Sequence, residues 1–228
     1  MNKFKKNKYG GGMSGVEEYR GFHFKKKKYL VLKKVIDANL ADFLTEYMFL
    51  KKEVANTLFS LNYLPPNLKG MLGTFNDPQV PNSYSVYSDI ANEVLLKKIK
   101  PIMEKNTGLK LVETYSYARI YNKGNTLERH KDRPSCEISP TLNLGGGDWP
   151  IYLEPSGKEG MKGIKINLKK GDMLIYKGCE LEHWRKSFTK KHCVQVFLHY
   201  NQATKKAIKY DGRHHLGLPF DVKKNEII

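Results

Sequence analysis

The sequence contains few cysteines and no long apolar run, and each absence excludes a class of protein. Its three cysteines, Cys136, Cys179 and Cys193, include no C-x-x-C pair, which argues against a disulfide framework and against a structural zinc site. No run reaches the roughly 18 apolar residues of a membrane span, and no apolar segment follows the basic N-terminus as it would in a secretory signal. We therefore expect a soluble protein with no membrane partner, located in the cytoplasm.

Acidic residues are also scarce relative to basic ones. The chain has 40 Lys and Arg against 23 Asp and Glu, which gives a net charge of +17. Residues 1–28 hold nine basic and two acidic residues and contribute +7, which leaves +10 for residues 29–228. Those later lysines are dispersed, as on a solvated surface, rather than gathered into a track that could follow a phosphate backbone. The charge by itself therefore does not predict a nucleic-acid partner.

The rest of the composition predicts a folded chain with a basic tail. Hydrophobic residues make up 40% of the 228 residues, and a chain of this length fits one domain better than two small ones. The glycine run at residues 10–12 and the surrounding lysines predict a flexible basic tail over residues 1–28. Residues 29–228 are predicted to form a single domain.

A first helix is predicted near the start of that domain. It follows a short strand that begins at Tyr29, and Asp37 can cap its N-terminus. The helix is predicted to end at about Leu61, before a pair of prolines. The apolar positions that give it a 3.6-residue period are Leu40, Phe43, Leu44, Tyr47 and Met48.

A second helix and the segment before it are also predicted. Ser88 or Asp89 can cap this helix, Pro101 is expected to bend it, and residues 106–108 end it. Residues 65–88, which precede it, are rich in Pro, Gly and Asn. This composition indicates an irregular loop, which could border a substrate groove.

The chain changes character after Gly108. Short segments rich in Val, Ile, Tyr and Thr alternate with turn signals at regular spacing, a pattern typical of an all-β barrel or jelly roll. The predicted fold class is therefore α+β and mostly β, with the two N-terminal helices packed on one sheet.

A His-x-Asp pair lies inside this β region. His130 and Asp132 are separated by one residue, so in an extended strand their side chains point to the same face and can meet one ion. His183 comes 51 residues after Asp132, far enough for the chain to return beside the first strand. Two imidazoles and one carboxylate on one side of a metal leave the opposite positions open, as in non-haem Fe(II) sites that activate O₂. The alternative is a surface pair and an unrelated histidine.

The motifs around these residues follow the order of a known enzyme family. The His-x-Asp pair is followed by an L-x-L-G turn, a G-D-M-L-I-Y strand at residues 171–176, the distal His183 and then a basic residue. This order resembles the prolyl 4-hydroxylase-like 2-oxoglutarate/Fe(II) oxygenases over about residues 29–200, and most closely over residues 114–200. The resemblance implies a double-stranded β-helix of the jelly-roll or cupin-like kind, with a catalytic core at about residues 109–200.

The resemblance also implies an activity and its cofactors. His130, Asp132 and His183 would be the catalytic iron ligands. Fe(II), 2-oxoglutarate and O₂ would be required, with ascorbate as a further candidate. Oxidative decarboxylation of 2-oxoglutarate to succinate and CO₂ would be coupled to hydroxylation of a C–H bond. The implied target is a prolyl residue of a peptide or protein, and the basic surface would favour acidic or extended polypeptides.

A basic residue is implied as the partner of the distal carboxylate of 2-oxoglutarate. Family members place an Arg or Lys eight to eleven residues beyond the distal His, and Lys191, eight residues on, is the candidate in this chain. Its charge-assisted bond in a dry pocket would be strong. The commonest offset in the family falls on His192 or Cys193, so Lys190 and Arg185 remain rival partners.

Two more cosubstrate contacts are implied by position. Tyr121 matches a cosubstrate-contacting tyrosine of the HIF-type prolyl hydroxylases. Asn143 stands where many relatives have a tyrosine that touches the cosubstrate. Alternation along the last predicted strand would point Lys191, Cys193, Gln195 and Phe197 into the barrel.

Two other functions remain open. The net charge allows a dioxygenase that oxidises nucleic acid, although the R-x-x-x-x-x-R pair of the alkylation-repair enzymes would begin at Thr189 here, and no second arginine occurs until Arg213. A jelly-roll domain without a working metal site could instead serve as a basic, non-catalytic binding module. Metal analysis distinguishes this module from an enzyme.

Overall fold

The computed structural model describes residues 15–222 of the chain. The predicted tail falls partly outside this range, at residues 1–14. The helices are α1 (Gly15–Lys27), α2 (Ala38–Ser60) and α3 (Ile90–Thr107). The strands are β1 (Tyr29–Leu32), β2 (Tyr84–Tyr87), β3 (Leu111–Asn122), β4 (Leu127–His130), β5 (Ser139–Gly146), β6 (Ile151–Leu153), β7 (Ile164–Ile166), β8 (Met173–Tyr176), β9 (His183–Arg185) and β10 (His192–Gln202). Short 3₁₀ helices span Pro66–Leu72, Pro134–Cys136 and Tyr210–Gly212.

The strands form two antiparallel sheets. The major sheet has six strands in the order β1-β8-β5-β10-β3-β2, and the minor sheet has four in the order β4-β9-β6-β7. From β4 onward the chain passes between the two sheets repeatedly, since β5, β8 and β10 belong to the major sheet and β4, β6, β7 and β9 to the minor sheet. The prediction of a mostly β fold with helices packed on one sheet is confirmed at this level.

Alternation along β10 shows how the layers are separated. Val194, Val196 and Leu198 point to one side, where they pack with the helices in the largest apolar cluster. Cys193 and Phe197 point to the other side, into a smaller cluster between the sheets. Because successive strand residues face opposite sides, one strand closes the helix-facing core and also lines the interior of the barrel.

Helices α2 and α3 begin and end close to their predicted positions. Asp37 caps α2 and accepts a hydrogen bond from the Leu40 amide at 2.8 Å. Asp89 caps α3, which ends at Gly108 in a left-handed conformation with φ of 67°. Short polar side chains at the N-cap and glycine after the last turn satisfy the free backbone groups of a helix. Within the described residues, no helix has both the length and the hydropathy needed to cross a membrane.

Helix α1 lies in the segment that was predicted to be a flexible tail. Residues 15–27 form α1, so the prediction of a flexible segment over residues 1–28 was wrong for this part. Phe24 is completely buried and belongs to the main core. Gly21 lies so close to α3 that a Cβ there would be 3.2 Å from the Gly108 Cα. Residues 15–222 therefore contain three α-helices rather than two, and tertiary contact with α3 stabilises a helix of weak amphipathic pattern.

The segment after β10 returns across β3 and is held by a buried ion pair. Arg213 is completely buried and donates to the Glu93 carboxylate at 2.9 Å and to the Thr114 carbonyl at 2.9 Å. Asp211 precedes it and pairs with Arg133 at 2.7 Å. A buried pair with further hydrogen bonds fixes this segment close to the His-x-Asp motif.

Candidate active site

The structure brings the three predicted metal ligands together. The Nε2 atoms of His130 and His183 lie 3.6 Å and 3.4 Å from the Asp132 Oδ1. One potential ligand atom from each residue falls within 4.8 Å of the others. The strands β4 and β9 are neighbours in the minor sheet, and His130 pairs directly with His183. The donor set and its spacing fit one divalent cation that keeps open positions.

The local backbone explains how Asp132 reaches this group. The spacing predicted His130 and Asp132 on the same extended strand. Strand β4 instead ends at His130, so Asp132 lies just beyond it. Its amide donates to the Gly178 carbonyl at 2.9 Å. A Cβ on Gly178 would overlap the Asp132 carboxylate and the Ser139 hydroxyl. The carboxylate therefore occupies space that only glycine leaves free at residue 178.

Hydrogen bonds orient both imidazoles. The Nδ1 of His130 lies 2.8 Å from the Glu128 carbonyl, and the Nδ1 of His183 lies 3.1 Å from the Leu181 carbonyl. Each contact makes Nδ1 the protonated nitrogen and leaves Nε2 to face Asp132, which is how a second contact fixes a histidine ligand.

The electrostatics of the triad depend on the same contacts. Burial raises the pKa of Asp132, but His183 and His130 outweigh it and hold the pKa well below its usual range. Burial lowers the pKa of His130, but Asp132 and the Glu128 carbonyl outweigh it and raise the pKa. The carboxylate therefore stays ionised, as a metal ligand must be.

Asp132 also belongs to a second group of potential ligands. Cys136 and His199 lie close enough to form one site with it. The Ser139 hydroxyl occupies the space between them, because it donates to Asp132 at 2.9 Å and contacts the His199 Nδ1 at 2.9 Å. Ser139 and His199 therefore support the carboxylate from behind.

The triad lies in the wall of a cavity of about 330 Å³ between the sheets. Its lining includes aromatic residues and one arginine of the major sheet, and residues of the loop before β2. These residues are Asp77, Gln79, Tyr115, Tyr117, Arg119, Tyr121, Tyr176 and Phe197. A concave space with a few convergent polar groups is typical of a small-molecule site.

No family model and no curated protein matches the sequence. Several solved structures are similar. A prolyl-4-hydroxylase from Pseudomonas putida has a TM-score of 0.59 and 10% identity, with 82% of this chain and all of that chain covered.

Two further structures show what bound ligands accompany this architecture. HygX from Streptomyces hygroscopicus, with nickel and 2-oxoglutarate bound, has a TM-score of 0.56 and 13% identity, with 95% of this chain and all of that chain covered. A prolyl hydroxylase from Trichoplax adhaerens, in complex with a hypoxia inducible factor peptide fragment, has a TM-score of 0.57 and 11% identity, with 82% and 89% covered.

The chain has the 2-oxoglutarate/Fe(II) oxygenase fold. This confirms the predicted jelly-roll core, since the chain forms two sheets and is similar in structure to these oxygenases. At identities of 10–13% the likeness concerns the fold alone.

Within this oxygenase fold, the predicted cation at the cosubstrate end must be revised. Lys191 precedes β10 and is exposed, as is Lys190. The prediction that Lys191 points into the barrel was therefore wrong. Arg185, the remaining candidate, lies two residues after His183 on the same face of β9 and is buried. The β9–β10 turn, rather than the offset from His183, decides which cation is inside.

The surroundings of Arg185 are unusual for a buried cation. Its guanidinium donates to the Trp149 carbonyl and, at 3.4 Å, to the Gln195 Oε1, while its Nε has no partner among the described residues. Burial lowers its pKa, against the opposite effects of Cys193 and Tyr121. A buried charge without a counter-charge is costly, so this position is suited to an anionic ligand.

The other two predicted contacts differ in what they can do. Tyr121 lines the cavity, and its hydroxyl accepts a hydrogen bond from Arg119 at 3.3 Å. Asn143 is buried, donates to the Leu168 carbonyl at 2.7 Å and accepts from the Gln195 amide at 3.1 Å. Its hydrogen bonds are thus used within the protein, and it orients Gln195, which in turn contacts Arg185.

The loop before β2 contributes residues that the sequence did not single out. Asp77 accepts hydrogen bonds from Arg119 and Tyr117 and from the Gln79 amide. Burial raises the pKa of Asp77, but Arg119 and Tyr117 outweigh it and lower the pKa. The Gln79 side chain then reaches the His130 Nε2 at 3.2 Å. The predicted groove-bordering loop therefore does border the cavity, although no local motif marks its residues.

Neither of the two positions weighed for the arginine pair of the alkylation-repair enzymes presents a guanidinium to the cavity. Arg213 is buried against Glu93, outside the cavity, and Thr189 is exposed on the surface.

Proposed function

We propose that this chain is an Fe(II)- and 2-oxoglutarate-dependent dioxygenase that hydroxylates a prolyl residue in a peptide or protein. The observation that carries the proposal is the pairing of two sites in one barrel. His130, Asp132 and His183 offer a cation site, and Arg185 offers an uncompensated positive charge two residues along the same strand. 2-Oxoglutarate joins a metal-chelating end to a carboxylate end, so it matches both.

Each residue has a defined part in this function. His130, Asp132 and His183 would hold Fe(II) from one side and leave the side facing the cavity open. Arg185 would bind the distal carboxylate of the cosubstrate, with Gln195 and the Trp149 carbonyl fixing its orientation. Tyr121 and Tyr176 narrow the cavity and exclude water. Bound Fe(II), 2-oxoglutarate and O₂ supply the oxidation itself, with hydroxylated product, succinate and CO₂ as the result.

The substrate is the finer part of the proposal. The peptide-bound Trichoplax prolyl hydroxylase supports a peptide or protein target. The cavity is bordered by a loop rather than closed by a domain, which leaves room for an extended segment. Ascorbate as a reductant and a cytoplasmic location belong to the same proposal.

The test is succinate formation by purified protein with Fe(II), 2-oxoglutarate and ascorbate. We expect slow turnover without substrate, its loss in His130→Ala, and no change in His215→Ala, which alters an exposed histidine that does not line the cavity. Equal turnover in wild type and His130→Ala contradicts the proposal. Proline-containing peptides would then be screened by mass spectrometry for the gain of one oxygen.

The same protein preparation distinguishes the proposed enzyme from the alternative, a non-catalytic binding module. An inert scaffold would retain no stoichiometric Fe(II) after anaerobic purification. It would also show no visible absorption band when Fe(II) and 2-oxoglutarate are added together.

A further inference from the structure

Helix α2 carries a second apolar face that is largely exposed and meets the core only at Tyr47. Leu44 and Met48, which face the major sheet, are buried, but Leu40 and Phe43 are 39% and 63% exposed. The five apolar positions that the sequence placed on one helical face therefore divide between two faces. The exposed face needs its own explanation, since monomeric proteins rarely expose large contiguous apolar patches.

The exposed face repeats every seven residues. Successive positions are three and four residues apart along the whole helix, the spacing that places side chains in one seam of a coiled coil. We call this seam the α2 stripe; it consists of Leu40, Phe43, Tyr47, Leu50, Val54, Thr57 and Leu61. None of its seven residues is charged, although charged residues make up 28% of the chain. Leu50 and Leu61 are 63% and 68% exposed.

The apolar surface continues beyond α2. Tyr47 lines a shallow cavity of about 200 Å³ together with Met71 and Ile90. Ile90 is 66% exposed and Met71 is 46% exposed. The patch thus spans two helices and a 3₁₀ segment on the outer side of the molecule. It lies on the helix layer of the major sheet, away from the cavity between the sheets.

The charges beside the α2 stripe indicate what covers it. Glu46 and Glu53 lie along one flank, and Lys51 lies along the other, where its Nζ is fixed 2.9 Å from the Asp89 carboxylate. In a parallel pair of α2 helices, Glu46 of one copy faces Lys51 of the other. An antiparallel pair would instead bring the glutamates of both copies together. The acidic flank also opposes binding to an anionic lipid surface.

We propose that the α2 stripe is a self-association surface that pairs with the α2 stripe of a second copy of this chain in a parallel arrangement. Each copy of a twofold pair presents the same patch, so a seam of this kind is self-complementary. The pairing leaves the cavity between the sheets open in each copy. It is independent of the proposed oxygenase activity.

The experiment is sedimentation analysis of the full chain at micromolar concentrations. We expect wild type to sediment with twice the mass of one chain, and Phe43→Glu and Leu50→Glu to sediment as monomers. Met161→Glu is the matched control, because Met161 is 53% exposed but lies beside Arg129 of the minor sheet; it should remain dimeric. Because the altered side chains are exposed, far-UV circular dichroism should be unchanged in all three.

The outcomes separate this partner from others. A monomeric wild type, or a dimer that both Phe43→Glu and Leu50→Glu leave intact, overturns the proposal, because the face then binds a different protein, another segment of this chain or nothing. Glu46→Lys should weaken association several-fold and Glu46→Gln less, as expected for a flank pair. If Glu46→Lys strengthens the dimer, the parallel arrangement is wrong.

Discussion

At the triad, a carboxylate lies between two imidazoles, whereas two residues along β9 a guanidinium is buried with no carboxylate partner among the described residues. The first arrangement places an ionised carboxylate and two imidazole nitrogens around a position where a cation can bind. The second holds a positive charge that burial penalises. The comparison teaches that neither end is complete alone, since one is suited to a cation and the other to an anion. A ligand that bridges them relieves both.

The largest effect is expected from a substitution that displaces the Asp132 carboxylate from the triad. Gly178→Ala places a Cβ against the Asp132 carboxylate and the Ser139 hydroxyl, so the carboxylate must move away from the two imidazoles. We predict loss of stoichiometric Fe(II), measured by metal analysis after anaerobic loading. Gly70→Ala is the control, because a Cβ there meets nothing within 4 Å. Normal iron content in Gly178→Ala would show that Asp132 is not a required ligand.

The next effect concerns the guanidinium end. Arg185→Met should weaken 2-oxoglutarate binding by about 10²- to 4 × 10³-fold, since losing the partner of a buried carboxylate costs roughly 3–5 kcal/mol. Lys191→Met alters the exposed lysine and should leave binding unchanged. The dissociation constant is measured by anaerobic calorimetry. The reverse ranking would restore Lys191 as the cosubstrate partner.

The same substitution should have the opposite effect on stability. Without ligand, Arg185 is a buried charge with no counter-charge among the described residues, and replacing such a group by an apolar side chain is often neutral or stabilising. We predict that ligand-free Arg185→Met unfolds at the same temperature as wild type or higher. A marked fall in its melting temperature would mean that the hydrogen bond to the Trp149 carbonyl matters more than the missing counter-charge.

The smallest effect is expected where a charge pair is complete and partly exposed. Burial raises the pKa of Asp211, but Arg133 outweighs it and lowers the pKa from 3.8 to about 2. The folded state therefore binds the proton less tightly than the unfolded state. The stabilisation is present above about pH 4 and is lost as the pH falls towards 2.

We accordingly predict that Asp211→Asn lowers the free energy of unfolding by about 1 kcal/mol at neutral pH, because solvent screens a pair whose Arg133 side chain is partly exposed. The difference from wild type should shrink as the pH falls below about 4. Urea unfolding at several pH values measures it. A difference that does not change with pH would show that lost packing, not charge, is responsible.

The sequence predicts the triad better than its partner for a physical reason. His130 and Asp132 are close in sequence, so their proximity is almost guaranteed, and a returning strand places His183 beside them. The choice between Lys191 and Arg185 depends instead on the residue at which β10 begins. A shift of one residue at a strand end exchanges inside and outside, and no local pattern near residue 191 fixes it.

The helices show the same limit. The caps Asp37 and Gly108 act through neighbouring backbone groups, so the bounds of α2 and α3 could be predicted. Helix α1 could not, since it depends on contact between Gly21 and α3. Periodicity in α2 showed that apolar residues recur but not that Leu44 and Phe43 face different surroundings. Caps and periodicity thus predict where helices form, whereas tertiary packing decides which of their faces are buried.

The most direct test of the pairing between the triad and Arg185 is anaerobic titration of 2-oxoglutarate into wild type, Arg185→Met and Asp132→Ala, each with and without Fe(II). We predict tight binding only in wild type with Fe(II), and a large loss of affinity when either the metal or Arg185 is absent. Undiminished binding in Arg185→Met with Fe(II) present would contradict the assignment of the two ends.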